Sequence, residues 1–193
     1  MKLNKSKLIL GSLLLFVIFT SHSQKDTISN TFSFHSFSAS PLGFFYAEAE
    51  ERNDNSTFAG PAFSAQATFN FKRNLFGISG TIGTAVDIIW SDGLNDWFYG
   101  FDLLYGREFK LSKRVYLDAF GGIGILNKKY DESVRDSGGV EDATFFSVPL
   151  KVKLKPLVTE KFAIGFQLQT ILSSEKPLFT AGLLLQFHRN SKF

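Results

Sequence analysis

Two histidines beyond the N-terminal leader, His35 and His188, stand near serines in a chain with no cysteine. A histidine beside a hydroxyl is the minimal pair for nucleophilic acyl chemistry, provided a carboxylate orients the ring. His35 is followed directly by Ser36, and Ser191 lies three residues beyond His188; the third histidine, His22, is in the leader. A three-residue step along a strand turns Ser191 to the face opposite His188. No nucleophile, base and orienting group fall together, so no catalytic residue is assigned. The carboxylate pairs Asp92 with Asp96 and Glu141 with Asp142 match no calcium-loop spacing and are read as solvated acidic loops. The glycines scatter and form no phosphate-cradling loop, and the missing cysteines remove thiolate metal sites and disulfides. No metal and no cofactor is expected.

The elements that would position these groups are strands. From Phe76, every second residue reads Phe76, Ile78, Gly80, Ile82, Thr84, Val86, Ile88, Trp90, against Gly77, Ser79, Thr81, Gly83, Ala85, Asp87. After the polar turn 91–96 the alternation resumes as Trp97, Tyr99, Phe101, Leu103, Tyr105 against Gly100, Asp102, Gly106, Glu108. A period of two on both sides of a turn is a long antiparallel hairpin. A first strand begins at Phe32 or Ser36 and runs to Glu48, with Ser36, Ser38 and Ser40 opposite Phe37, Ala39 and Phe45. Pro41 predicts an irregularity within it. The second strand covers 58–71, with Phe63, Phe69 and Phe71 opposite Ser64, Gln66 and Thr68.

The fifth strand covers 115–127, and its phase stays open: Asp118 alternates with Tyr116 and Phe120, and Gly121-Gly122 would permit a bulge that swaps faces. Residues 128–144 read as the longest irregular loop. The sixth strand, 145–155, sets Phe146, Val148, Leu150, Val152 and Leu154 against Ser147, Pro149, Lys151 and Lys153, and 156–161 reads as a turn. The seventh and eighth alternate from Phe162 to Leu172 and from Phe179 to His188. Eight strands of about ten residues each suit tilted membrane crossing.

The 193 residues make one domain behind a removable leader, residues 1–23. Lys2, Lys5 and Lys7 precede the apolar run 8–19 and the small residues Ser21 and Ser23, the order of a secretory signal peptide; the run is too short to span a bilayer, which takes about 20 residues. Residues 24–35 form a short tail and the start of strand one, and 36–193 the barrel. The leader takes three of the 21 Lys and Arg, leaving 18 against 18 Asp and Glu. The sequence pI of about 9.0 therefore argues for no nucleic-acid partner.

Alternation alone suits a secreted soluble ligand-binding barrel equally well. Three features favour a membrane. The polar face is mostly Gly, Ala, Ser, Thr and Gln, which fits a crowded lumen better than a wet exterior. Aromatic residues gather where strands meet turns, as two girdles: Trp90 and Trp97 at one end, Phe71, Phe76, Phe109, Tyr116, Phe162 and Phe187 at the other. The turns 72–75, 110–114 and 156–161 are short and basic overall, with Lys161 beside Glu160 in the last, whereas segments 49–57, 91–96 and 128–144 are acidic overall. Short periplasmic turns and longer outer loops are the arrangement of outer-membrane barrels, with both chain ends periplasmic.

With its leader, its eight alternating runs, segments such as Ser147-Val148-Pro149-Leu150-Lys151-Val152-Lys153-Leu154 and the aromatic end Leu183-Leu184-Leu185-Gln186-Phe187, the chain from Ser36 to Phe193 resembles the small eight-stranded, porin-like outer-membrane β-barrel proteins of Gram-negative envelopes. The resemblance implies outer-membrane lipid and lipopolysaccharide as surroundings. It also implies recognition of Phe187 or Phe193 by the barrel-assembly machinery, and a structural or surface-interaction role. Some barrels of this size resemble lipid A acyltransferases and deacylases. The deacylase pattern His-x-Ser is departed from by one residue in His188-Arg189-Asn190-Ser191, so a lipid A-modifying enzyme is the alternative.

A barrel this narrow holds only its own side chains or one small ligand. It is expected to be a monomer, with any extracellular ligand bound through loops 49–57 and 128–144. Lys151 and Lys153 must face inward, because a lysine on the lipid side costs about 2–4 kcal/mol near the midplane. They are expected to meet Asp87, Asp102 and Glu108 in a salt-bridged interior cluster, with Lys151 paired to Asp102.

Overall fold

The structure, a computed structural model, describes residues 31–48, 57–85, 97–131, 140–174 and 176–189. The leader and the segments carrying Asp87 and Trp90 lie outside the described residues. The strands are β1 (Ser33–Glu48), β2 (Thr57–Phe71), β3 (Asn74–Thr84), β4 (Trp97–Lys110), β5 (Val115–Asp131), β6 (Val140–Thr159), β7 (Phe162–Ser173) and β8 (Leu178–His188). Each pairs antiparallel with the next, and β8 pairs with β1 to close the barrel. Closure satisfies backbone groups between strands, the condition for a sheet to sit in hydrocarbon.

Burial alternates residue by residue along β3, β4 and β7. Outward stand Ile78, Ile82, Phe101, Leu103, Phe166 and Leu168, several of them half exposed or more. Inward stand Ser64, Gln66, Thr68, Ser79, Thr81, Gln167 and Gln169, all buried. This inversion, polar inside and apolar outside, makes no sense in water, where exposed apolar patches rarely exceed a few hundred Å². It is what a bilayer selects.

Pro41 produces the irregularity its chemistry demands. The register shifts between Ser40 and Gly43 against β2 and between Ala39 and Leu42 against β8. A proline has no N–H for the ladder, and the extra residue reverses the phase beyond it. Phe45, expected to share the face of Phe37, therefore points into the lumen and is fully buried. At Gly121-Gly122 the faces do not swap: Asp118 and Phe120 before the pair and Leu126 after it are all buried inward.

The longest expected loop is shorter than the sequence suggests. β5 and β6 extend as a paired hairpin through Lys129 opposite Asp142 and Asp131 opposite Val140, leaving 132–139 outside the described residues. Asn127 Nδ2 donates to Thr144 Oγ1 at 2.9 Å and also to Asp142, and Lys129 Nζ lies 3.6 Å from Asp142. Cross-strand polar pairs of this kind hold a hairpin without the apolar alternation by which strands are recognised. Likewise 156–161 is not all turn. β6 continues through Pro156 to Thr159, and Leu157 N donates to Arg114 O at 2.7 Å, so that Glu160 and Lys161 make the turn.

Candidate functional site

The lumen is built in three zones. Towards the loop end an apolar cluster joins Phe45, Ala47, Ala62, Phe98, Leu126, Ile171 and Leu178. The rings of Phe45 and Phe98 meet edge to face with centroids 4.8 Å apart. Phe98 lies over Gly83, its direct partner on β3, where a Cβ would come within 2.3 Å of the ring.

The middle zone is polar. Lys151 Nζ donates to Ser79 Oγ at 2.6 Å, Gln169 Nε2 to Asp102 Oδ2 at 3.1 Å, and Gln167 Nε2 to Ser64 Oγ at 2.8 Å. Gly124 leaves room for Asp102, since a Cβ there would stand 2.5 Å from Oδ1. Lys153 Nζ donates to Ser38 Oγ at 2.7 Å and lies 5.5 Å from the centre of the Phe120 ring. A cavity of about 10 Å³ beside Ser64, Thr81, Gln167 and Thr180 is the size of one water site.

Towards the short-turn end, Lys155 Nζ sits 2.6 Å from Glu108 Oε2 and 2.7 Å from Asp118 Oδ1. Lys155 and Asp118 are buried, while Glu108 keeps 28% of its side chain exposed at the rim, with His35 Nε2 3.6 Å away.

Of the interior charges expected from sequence, Asp102, Lys151 and Lys153 are buried together and Glu108 is at the rim. Lys151 and Asp102 do not form an ion pair, because Ser79 and Gln169 take their hydrogen bonds. The tight ion pairs belong to Lys155 and Asp118, which sequence reasoning missed. Extending the β6 alternation one step past Lys153 would have found Lys155; Asp118 was hidden among the apolar inward residues Tyr116 and Phe120. Within the described residues the lumen holds three buried lysines on β6 facing Asp102, Asp118 and Glu108.

Of the girdle residues, Phe76 and Phe187 face outward, with Phe71, Phe109 and Phe162 half buried beside them. Phe162 and Phe187 pack at 4.7 Å, and Phe76 meets Tyr105 at 5.4 Å. Trp97 at the other end stacks on Tyr99 beneath Lys129. Tyr116 departs from the girdle: it shares the inward phase of Asp118 and is buried. The histidines converge without forming a nucleophilic pair. Their rings meet edge to face at 5.4 Å, and the Ser36 hydroxyl accepts from Gln186 Nε2 at 3.0 Å.

In solved structures the whole architecture recurs. Neisserial surface protein A superposes with a TM-score of 0.59 at 11% identity, over 84% of this chain and 99% of that one. The fold is that of the small eight-stranded outer-membrane β-barrels. Ail, the attachment invasion locus protein of Yersinia pestis, crystallised with the heparin analogue sucrose octasulfate, matches this barrel with a TM-score of 0.52, 16% identity and coverage of 81% and 98%. The N-terminal β-barrel domain of Pseudomonas aeruginosa OprF matches at 0.51, 13%, 84% and 99%. No protein-family model and no curated protein matches the sequence. With identities this low, what the barrels share is a backbone, while the lumen and loop chemistry is this chain's own.

Proposed function

We propose that this barrel acts through its loop face, in surface interaction or envelope structure, and neither conducts nor catalyses. The observation that carries the proposal is the sealing of the lumen at both ends, by the Phe45–Phe98 cluster and by the Lys155 ion pairs. A plugged barrel offers partners only its rims and loops. The β5–β6 hairpin supports the same assignment: residues 140–146 of β6 pair with β5 beyond the point where β7 ends at Ser173, so the paired hairpin outruns its β7 neighbour. Likeness to Ail, named for attachment and invasion, agrees with a surface role. The acidic residues Glu50, Glu51, Asp92 and Asp96 argue for a neutral or cationic partner in place of a sulfated polyanion.

Two measurements test this. Protease added to intact cells is expected to cut within 49–57 and 132–139 and to spare 72–75 and 110–114; cleavage of the short turns alone would invert the orientation. The purified protein in planar bilayers is expected to show no stable channel, and a steady open conductance would remove the plug.

A further inference from the structure

We propose that the short-turn rim is a docking surface for the phosphate headgroups of anionic phospholipid in the leaflet that surrounds it. The proposal rests on the transmembrane placement of the barrel and goes beyond it, since a barrel can cross a bilayer without choosing among lipids.

Among the described residues, six exposed cations sit on the turns of this rim, with the exposed Arg189 after β8 at the same end: Lys72 and Arg73 between β2 and β3, Lys110, Lys113 and Arg114 around the β4–β5 turn, and Lys161 between β6 and β7. Glu160 is the exposed acid among these turns. The opposite end is acidic in sequence, so the molecule carries a charge gradient along its axis although its mature sum is close to zero.

Depth decides the occupant. The β2–β3 and β6–β7 turns are two residues each, Lys72-Arg73 and Glu160-Lys161, and cannot lift their charges away from the strand ends. Immediately below them lie the outward rings of Phe76 and Phe187 and the partly covered Phe71 and Phe162. Lys72 Nζ sits 5.4 Å from the centre of the Phe71 ring. Aromatic girdles settle at the headgroup level. Cations tied to the girdle by such short turns therefore stand among lipid phosphates, where each basic residue attracts anionic lipid. The turn backbone is held ready: Leu111 N and Ser112 N both donate to Val115 O, at 2.9 and 3.1 Å, and Leu157 N to Arg114 O.

The full-length mature chain, folded into vesicles of phosphatidylcholine with a minor share of phosphatidylglycerol, allows a direct test. Spin-labelled lipids report which headgroup occupies the protein's boundary shell. Phosphatidylglycerol is expected to be preferred roughly three- to tenfold at low salt, as clustered basic residues require, and less in about 0.5 M salt. The variant K72Q/R73Q/K110Q/K113Q/R114Q/K161Q should fold, judged by its altered gel migration unboiled, and lose the preference. Lys129→Gln at the loop end should keep it.

Equal association of both lipids with the inserted wild-type barrel overturns the proposal alone, as does a preference that survives in the six-site variant. Failure of the wild type to insert in any vesicle overturns the transmembrane placement together with it. Inorganic phosphate should displace no more lipid than chloride at equal ionic strength. Specific displacement would mark the rim as a site for free phosphate and overturn the lipid assignment.

Discussion

Exchanging Lys155 for methionine is expected to cost the barrel about 3–5 kcal/mol of folding stability, the range for removing one partner of a buried ion pair. Methionine fills a similar volume, so the loss reports charge and hydrogen bonding more than packing. Its ammonium stands 2.6 Å from Glu108 and 2.7 Å from Asp118, and no part of the lysine side chain reaches solvent. The two carboxylates will not suffer equally. Glu108 retains 28% exposure and can turn to water, whereas Asp118 is closed in on all sides. Combining Lys155→Met with Asp118→Asn is therefore expected to recover most of the loss, and combining it with Glu108→Gln to recover less. Lys153 faces Asp118 directly across β5 and β6, and a swing of its ammonium from Ser38 to Asp118 would hold the single-variant cost near the lower bound. Urea unfolding of the protein in detergent or vesicles measures these variants together with Asp118→Asn and Glu108→Gln alone. A neutral Lys155→Met, or a double variant whose loss is the sum of its singles, would show the cluster to be solvated and not a seal.

The contrast with Lys151 shows what the sequence could and could not convey. Alternation placed Lys151, Lys153 and Asp102 on one face because the price of a lysine in lipid is steep and a strand has only two faces. Which of them would touch depended on strand stagger around the barrel, set by hydrogen-bond register and not by face. Ser79 on β3 and Ser38 on β1 thus came to hold lysines that looked destined for carboxylates. Face assignments failed where a local feature reset the count, as at Pro41, beyond which Phe45 turns inward. They were undecidable where apolar residues fill both sides, as at Tyr116, Asp118 and Phe120. Strand ends were lost where β5 and β6 run on past their apolar alternation, because polar pairs such as Asn127 with Thr144 and Lys129 with Asp142 hold the hairpin there. The histidine cluster was legible as residue types but not as geometry, since Gln186 rather than a histidine engages Ser36.

At the other end of the lumen, Phe98→Ala is expected to destabilise by about 3–5 kcal/mol, the usual cost of deleting a fully buried ring that its surroundings cannot refill. Refilling is hindered here because the facing residue on β3 is Gly83 and two members of the cluster, Ala47 and Ala62, are short. The same geometry makes Gly83→Ala unfavourable in the intact barrel, by about 1–3 kcal/mol, as overpacking of a filled site. Its methyl would meet Phe98 Cε1 at 2.3 Å and Phe45 Cδ1 at 2.9 Å. In the Phe98→Ala background the tighter of these clashes disappears, so Gly83→Ala should cost much less there, or add stability by occupying part of the void. Conductance separates packing from sealing. Phe98→Ala opens one end of the lumen and leaves the Lys155 ion pairs closing the other, so planar-bilayer recordings are expected to stay silent. Only the variant that also carries Lys155→Met removes both closures. A channel in Phe98→Ala alone would mean that the ionic zone admits ions and that the phenylalanine pair is the sole barrier.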